Sequence, residues 1–302
     1  MSAAGAVAVR GPTLRSRLAE RGVDRTLLLL VPALAVLGLL FVYPFVYGLQ
    51  LSLDPQAGGG TFRNYRTFFQ DAYQRDTIFT TLKIALPATA INVLASVPIA
   101  YRMRGPFRGK RLLTAILVVP MTLGTVLVAE GLLRYLGPRG WLNRVLLDIG
   151  IVDEPIRLVH NYWGVLLSLV ITGFPFAFLL TLSYLSGIDP TLERAAATLG
   201  ASRRQRFWHV TMPLLAPGLA TTFVLAFVLA FSVFPSAALV GQPSGSTRVI
   251  SIAAYDAAFQ KYDYSMGSAI AMVMGAVELL VIAAVLVTRS QLYRGPSAGG
   301  KG

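Results

Sequence analysis

The chain has 302 residues, of which 55% are apolar and only 14% charged, with a mean hydropathy of +0.62. A soluble domain carries about a quarter charged residues, spread along the exposed face of every helix. Here the charges crowd into short stretches between long uncharged ones, as a bilayer imposes, because an ionised group in hydrocarbon is costly. The net charge of +13 follows from basic loops flanking apolar segments and does not point to nucleic acid. The absence of cysteine excludes disulfides, iron–sulfur clusters and thiolate metal sites. Two histidines, His160 and His209, are too few and too far apart in sequence for a metal centre. The chain also has no Gly-x-x-x-x-Gly-Lys-Ser/Thr run, so it carries no phosphate-cradling loop of its own for ATP. No cofactor is expected.

In chain order, residues 1–25 are rich in arginine and alanine and read as a basic cytoplasmic tail. The apolar run behind them is too long, and too far from a small-residue cleavage site, for a cleaved leader. A span needs about 20 mostly apolar residues. Six stretches qualify, at about Thr26–Leu51, Thr77–Ala100, Leu112–Leu133, Tyr162–Leu185, Leu214–Val240 and Met266–Val287. The second is the weakest, with Lys83 and Pro87 inside it. The expected fold is therefore an all-α membrane domain over residues 26–290, with a short tail at 291–302.

Lysines and arginines set the orientation. Alternating segments carry 17 on one side and 9 on the other, with Lys83 inside a span. The richer side is cytoplasmic, so both termini are expected inside and the Gly241–Ser265 loop outside. The short basic hairpin from Arg102 to Arg111 contributes most to this asymmetry.

The loop between the fourth and fifth spans, Gly187–Pro213, reads GIDPTLERAAATLGASRRQRFWHVTMP. Asp189 is suited to cap a helix with Pro190 at its first position, where a missing N–H costs nothing. Ala195, Ala196 and Ala197 favour helix and add little bulk. Gly200 supplies the left-handed residue that ends a helix. Ser202 and Gln205 have the spacing of a capping box, opening a second short helix that Pro213 closes at the membrane edge. A helix with a small-residue face beside a basic, aromatic neighbour suits close docking on another protein.

At these residues the sequence resembles the integral-membrane subunits of binding-protein-dependent ABC importers, whose cytoplasmic EAA loop reads Glu-Ala-Ala, three residues, Gly, nine residues, Ile-x-Leu-Pro. Ala195, Ala196, Gly200 and the ending Val210-Thr211-Met212-Pro213 match. The departure is at the first position, where Arg194 stands and Glu193 precedes it. Gly140-Trp141-Leu142-Asn143, Pro175 and Gly187-Ile188-Asp189 extend the resemblance over about residues 75–290. It implies a type I importer permease fold in the bacterial plasma membrane. It also implies a coupling surface of Glu193, Arg194, Ala195, Ala196, Gly200, Ala201 and Pro213 for a cytoplasmic ATP-binding dimer. The other implied partners are a second permease subunit, an extracytoplasmic solute-binding protein and membrane lipid. The chain itself would be a conduit with no hydrolytic chemistry.

Intramembrane charges are the clues to the solute, because each needs a partner or a purpose. Glu278 in the sixth span and Glu130 in the third are candidate contacts for a cation, or else interhelical hydrogen bonders. Lys83 either snorkels or pairs with one of them. Tyr255, Phe259, Tyr262 and Tyr264 form an interfacial aromatic cluster or a surface for the binding protein. The segment Phe234–Glu278 looks most like the spermidine/putrescine branch of these permeases, with sugar-transporting branches as the alternative. A secondary transporter would show repeated halves with interrupted helices, and no duplication is visible. An intramembrane protease would need serine and histidine at matching depth, whereas both histidines fall outside the spans or at their edges.

Overall fold

In the computed structural model, which describes residues 30–56, 58–105 and 109–292, every regular element among the described residues is a helix. The apolar runs form six helices long enough to cross a membrane. The tails at 1–25 and 293–302, and part of the basic hairpin, lie outside the described residues.

The first helix, α1 (Val31–Ser52), belongs up to Leu51 to a unit of its own. It is apolar all round and carries a π-turn at Gly38–Val42, where the N–H of Tyr43 reaches back to Gly38. Pro44 follows at once. A proline has no N–H for the carbonyl four residues back and crowds it, and the wider turn gives that crowding room.

The second unit holds the rest. A short α2 (Arg63–Gln70) leads into α3 (Ala72–Met103), then α4 (Lys110–Leu136) and the short α5 (Trp141–Asp148). Next come α6 (Tyr162–Ser186), α7 (Pro190–Thr198) and α8 (Arg203–Phe231). The small α9 (Pro235–Leu239) and α10 (Ile250–Tyr255) precede the last span, α11 (Tyr264–Leu292). The centre is the α3–α6 seam, with α8 against both.

In a bilayer two helices gain little from burying apolar surface, so seams rely on small residues and hydrogen bonds. The buried side of α3 is accordingly Ala85, Ala88, Thr89, Asn92, Ser96 and Ala100. Ser96 bonds Thr181 at 2.7 Å, and Asn92 donates to the Leu169 carbonyl at 3.2 Å. Gly173 gives Asn92 its room, since a Cβ there would lie 2.6 Å from its amide nitrogen and push that side chain aside. Each such bond contributes about 0.6 kcal/mol. Pro87 leaves the Lys83 carbonyl without its helical donor, and the Tyr162 hydroxyl supplies one at 2.9 Å.

One sequence expectation changes here. The fifth span ends at Phe231 rather than Val240, because Pro235 disfavours helical geometry in the residue before it and opens α9 instead. Part of the Gly241–Ser265 segment packs into the core. Val249, Ile250 and Ala253 join the main core, and the Ile250 N–H donates to Thr81 Oγ1 at 2.9 Å. Arg248 is buried there, stacked 4.3 Å from the Tyr73 ring centre, and bonds Asp256 at 3.1 Å and Gln74 at 3.2 Å. Of the aromatic cluster, Phe259 meets Tyr255 at a tilt and Tyr264 edge-on, and all four rings, Tyr262 included, are exposed.

Ser244 and Ser202 are both exposed, which makes them a clean pair for testing orientation in a chain without cysteine. A cysteine at Ser244 should react with a membrane-impermeant maleimide in intact cells, and one at Ser202 only after lysis. The reverse pattern would invert the topology.

Candidate functional site: the cytoplasmic loop and the charged spans

The loop between α6 and α8 folds as its residues dictate. Asp189 caps α7, accepting from the Thr191 N–H at 2.8 Å with Pro190 first in the helix. That backbone bond holds the Asp189 carboxyl below the usual carboxylate range. The helix closes in a Schellman motif. The Ala201 N–H reaches the Ala196 carbonyl, and the Gly200 N–H reaches Ala197, both at 3.0 Å. Gly200 takes φ +84° to make that turn, and nothing lies within 4 Å of where its Cβ would stand. The capping box forms in both directions, with Ser202 N–H to Gln205 Oε1 at 2.8 Å and Gln205 N–H to Ser202 Oγ at 3.3 Å.

The second loop helix is not separate, as the sequence had suggested. It runs unbroken from Arg203 into the membrane as α8. Pro213 is carried inside it because a π-turn at Phe207–Thr211 precedes it, with the Met212 N–H bonding Phe207. The same device precedes Pro44 in α1.

One helical residue is 100° of rotation, and this decides what becomes of the displaced glutamate. Glu193 turns inward. Its Oε1 accepts from Arg104 Nη1 at 2.8 Å and from Thr211 Oγ1 at 2.6 Å, and Tyr101 donates to its other oxygen at 3.5 Å. Arg104 also donates to the Ile188 carbonyl. The pair is mostly buried, with side chains 13% and 19% exposed. Beside it Tyr101 meets Phe207 edge-on at 4.9 Å. Glu193 thus ties the loop to the end of α3 and to the π-turn of α8. Arg194, which stands where the motif has its glutamate, points to solvent with Ala195, while Ala196 and Ala201 are half-buried. Leu199 is 88% exposed, and Leu192 and Trp208 are also bare. Sequence reasoning missed these three. Their apolar character in a polar cytoplasmic loop was the available signal.

The intramembrane charges do not converge. Glu130 pairs with Arg134 one turn on, at 2.9 Å. Glu278 stands midway along the 29-residue α11, half-buried, and accepts from Ser232 Oγ at 3.4 Å. Lys83 is exposed and makes no ion pair among the described residues. Asn143 of the Gly-Trp-Leu-Asn run is structural, bonding Gly137 at 2.9 Å and both backbone groups of Ile156.

Six helices long enough to span a bilayer, with a small-residue seam in the second unit and a pre-shaped loop between α6 and α8, are the features of a membrane transport subunit. The chain belongs to the family described as binding-protein-dependent transport system inner membrane component, whose model matches residues 92–292. It is 31% identical over 214 residues to the probable sulfate transport system permease protein cysT of Prototheca wickerhamii, covering 70% of this chain and 81% of that one. It is 32% identical over 182 residues to the spermidine/putrescine transport system permease protein PotB of Haemophilus influenzae, covering 60% of this chain and 63% of that one. The match thus spans less than two thirds of the polyamine relative. A bacterial alginate ABC transporter, solved with a periplasmic protein carrying an alginate pentasaccharide, superposes with a TM-score of 0.78 at 22% identity, over 92% of this chain and 98% of that chain. The fold is that of ABC importer permeases, and the chain is an inner-membrane permease subunit, a transport component rather than an enzyme.

Proposed function

We propose that this permease forms a solute pathway with a second permease subunit and takes its solute from an extracytoplasmic binding protein. It couples to a cytoplasmic ATP-binding dimer through residues 187–213, and its solute is a polyamine such as spermidine or putrescine. The observation that carries the coupling is the loop itself. Its inner side is locked to α3 by Glu193, while its outer side presents small residues, Leu192, Leu199 and Trp208. A rigid helix with an uncommitted apolar face transmits a push.

For the solute, Glu278 supports the polyamine reading. It lies far from either interface, beyond the reach of a short side chain to water along the helix, and its hydrogen-bond donor among the described residues is the Ser232 hydroxyl. A carboxylate at that depth calls for a cation or water. One observation favours a second reading, a divalent anion such as sulfate. Arg134, Arg139, Arg144 and His160 surround a hollow of about 530 Å³ at the outer end of α4.

Proteoliposomes with the cognate ATPase and binding protein separate the two. Spermidine uptake is expected, falling about tenfold in Glu278→Gln while ATP hydrolysis still responds to the loaded binding protein. Unchanged spermidine uptake in that variant removes Glu278 from the pathway. Uptake of sulfate in place of spermidine moves the assignment to the second reading.

A further inference from the structure

The middle of the third span is not a regular helix. α4 is 27 residues long, about 40 Å at 1.5 Å per residue. At its midpoint Gly124 has φ +76° and ψ 164°, a conformation open essentially to glycine alone. It turns the peptide groups on either side out of the helical line. Four residues earlier, Pro120 withholds the N–H that the Ile116 carbonyl would accept. Thr122 donates its hydroxyl to the Val119 carbonyl at 2.8 Å, covering part of the loosened turn. Every residue from Met121 to Leu127 is exposed, and nothing lies within 4 Å of a Cβ built on Gly124. No element of the second unit covers the break.

Hydrocarbon does not accept irregular backbone. At membrane depth it survives only where protein buries it or where it lines a water-filled cavity. α8 stops at Phe231, and Ser232 just beyond it reaches Glu278 at the middle of α11. The chain then turns onto α4, where Leu239 and Val240 cluster with Ala129 and Leu136 beyond the break. α8 thus ends beside the middle of α11, and the segment after it packs on α4 beyond the break. Interrupted helices at membrane depth build solute sites in transporters, because freed backbone groups serve as ligands.

We propose that the Gly124 break in α4 lines the solute's path through the bilayer, with Thr122, Thr125 and the peptide groups beside Gly124 as its polar contacts. Threonines on both sides of the break suit a wet lining, where a dry seam would be filled by packing. The proposal rests on the permease reading above.

The test uses single cysteines in the otherwise cysteine-free chain, assembled with its ATPase and binding protein. Thr122→Cys and Thr125→Cys should react with a charged, membrane-impermeant thiosulfonate at least tenfold faster than Leu280→Cys, an exposed apolar position at similar depth. Vanadate trapping with ATP should change the rate. Gly124→Ala should cut uptake at least tenfold while the loaded binding protein still stimulates ATP hydrolysis. If both cysteines react only with a lipid-soluble maleimide, or with neither reagent, the lining is overturned, whether or not Gly124→Ala assembles. Fast charged labelling with no response to ATP and vanadate, and no ATPase in the purified complex, would keep a water-lined break and remove the importer coupling beneath it.

Discussion

Gly200→Asp is expected to abolish ATP-driven uptake and to release the ATPase from the purified complex, with membrane insertion and thermal stability nearly unchanged. The reasoning turns on what the glycine does and does not touch. Its φ of +84° ends α7, and a Cβ there would meet nothing within 4 Å. The intrachain cost is therefore conformational, on the order of 1 kcal/mol for a side chain held left-handed. Aspartate tolerates that region better than alanine does. If backbone strain governed the outcome, Gly200→Ala would be the worse variant. If docking governs it, Gly200→Asp is far worse, because it puts a charged group on the apolar outer face beside the exposed Leu199. Uptake in proteoliposomes, retention of the ATPase on affinity purification and a melting curve together resolve the two. Equal losses in both variants, or normal transport with the ATPase still attached to Gly200→Asp, would remove Gly200 from the docking surface.

Much of this protein is legible in its sequence because the bilayer enforces local rules. A span must be apolar over some 20 residues, and caps depend on side chains a few positions apart. Hence Asp189, Pro190, Gly200, Ser202 and Gln205 all stand as their residue types predict. What sequence did not show is what depends on contacts across the fold or on backbone choices without a pattern. Pro213 reads as a stop, yet the π-turn before it carries the helix through. Val233 to Val240 is as apolar as a span, but Pro235 and a hydrogen bond from Ser251 to the Val233 carbonyl make it a separate packed segment. The burial of Val249 and Ile250 rests on Thr81, more than 160 residues away. Gly124 gave no warning either, since a single glycine in a span is ordinary until its dihedral angles are known.

The displaced glutamate leads to the second large effect. Glu193→Ala should uncouple the transporter, leaving ATP hydrolysis running while solute uptake falls at least tenfold. Removing Glu193 leaves Arg104, which is only 13% exposed, with the Ile188 carbonyl but no counter-charge, and deprives Thr211 of its acceptor. Losing one partner of a mostly buried, hydrogen-bonded ion pair costs about 2–3 kcal/mol, felt where α7, the end of α3 and the π-turn of α8 meet. α7 would still form, since its cap is Asp189 and its end is Gly200. It would no longer be held against the spans, so a push on its outer face would be absorbed as local motion. Arg194→Ala is the contrast: that side chain is exposed, so stability should shift by no more than about 0.5 kcal/mol while ATPase binding weakens. Glu193→Gln keeps the acceptor for Thr211 and loses only the charge, so it should fall between wild type and alanine. The readout is moles of solute moved per ATP hydrolysed, with the melting temperature of the detergent-purified complex alongside. A Glu193→Ala transporter with an unchanged ratio would show that the loop is held by its backbone alone and that the pair with Arg104 is incidental to coupling.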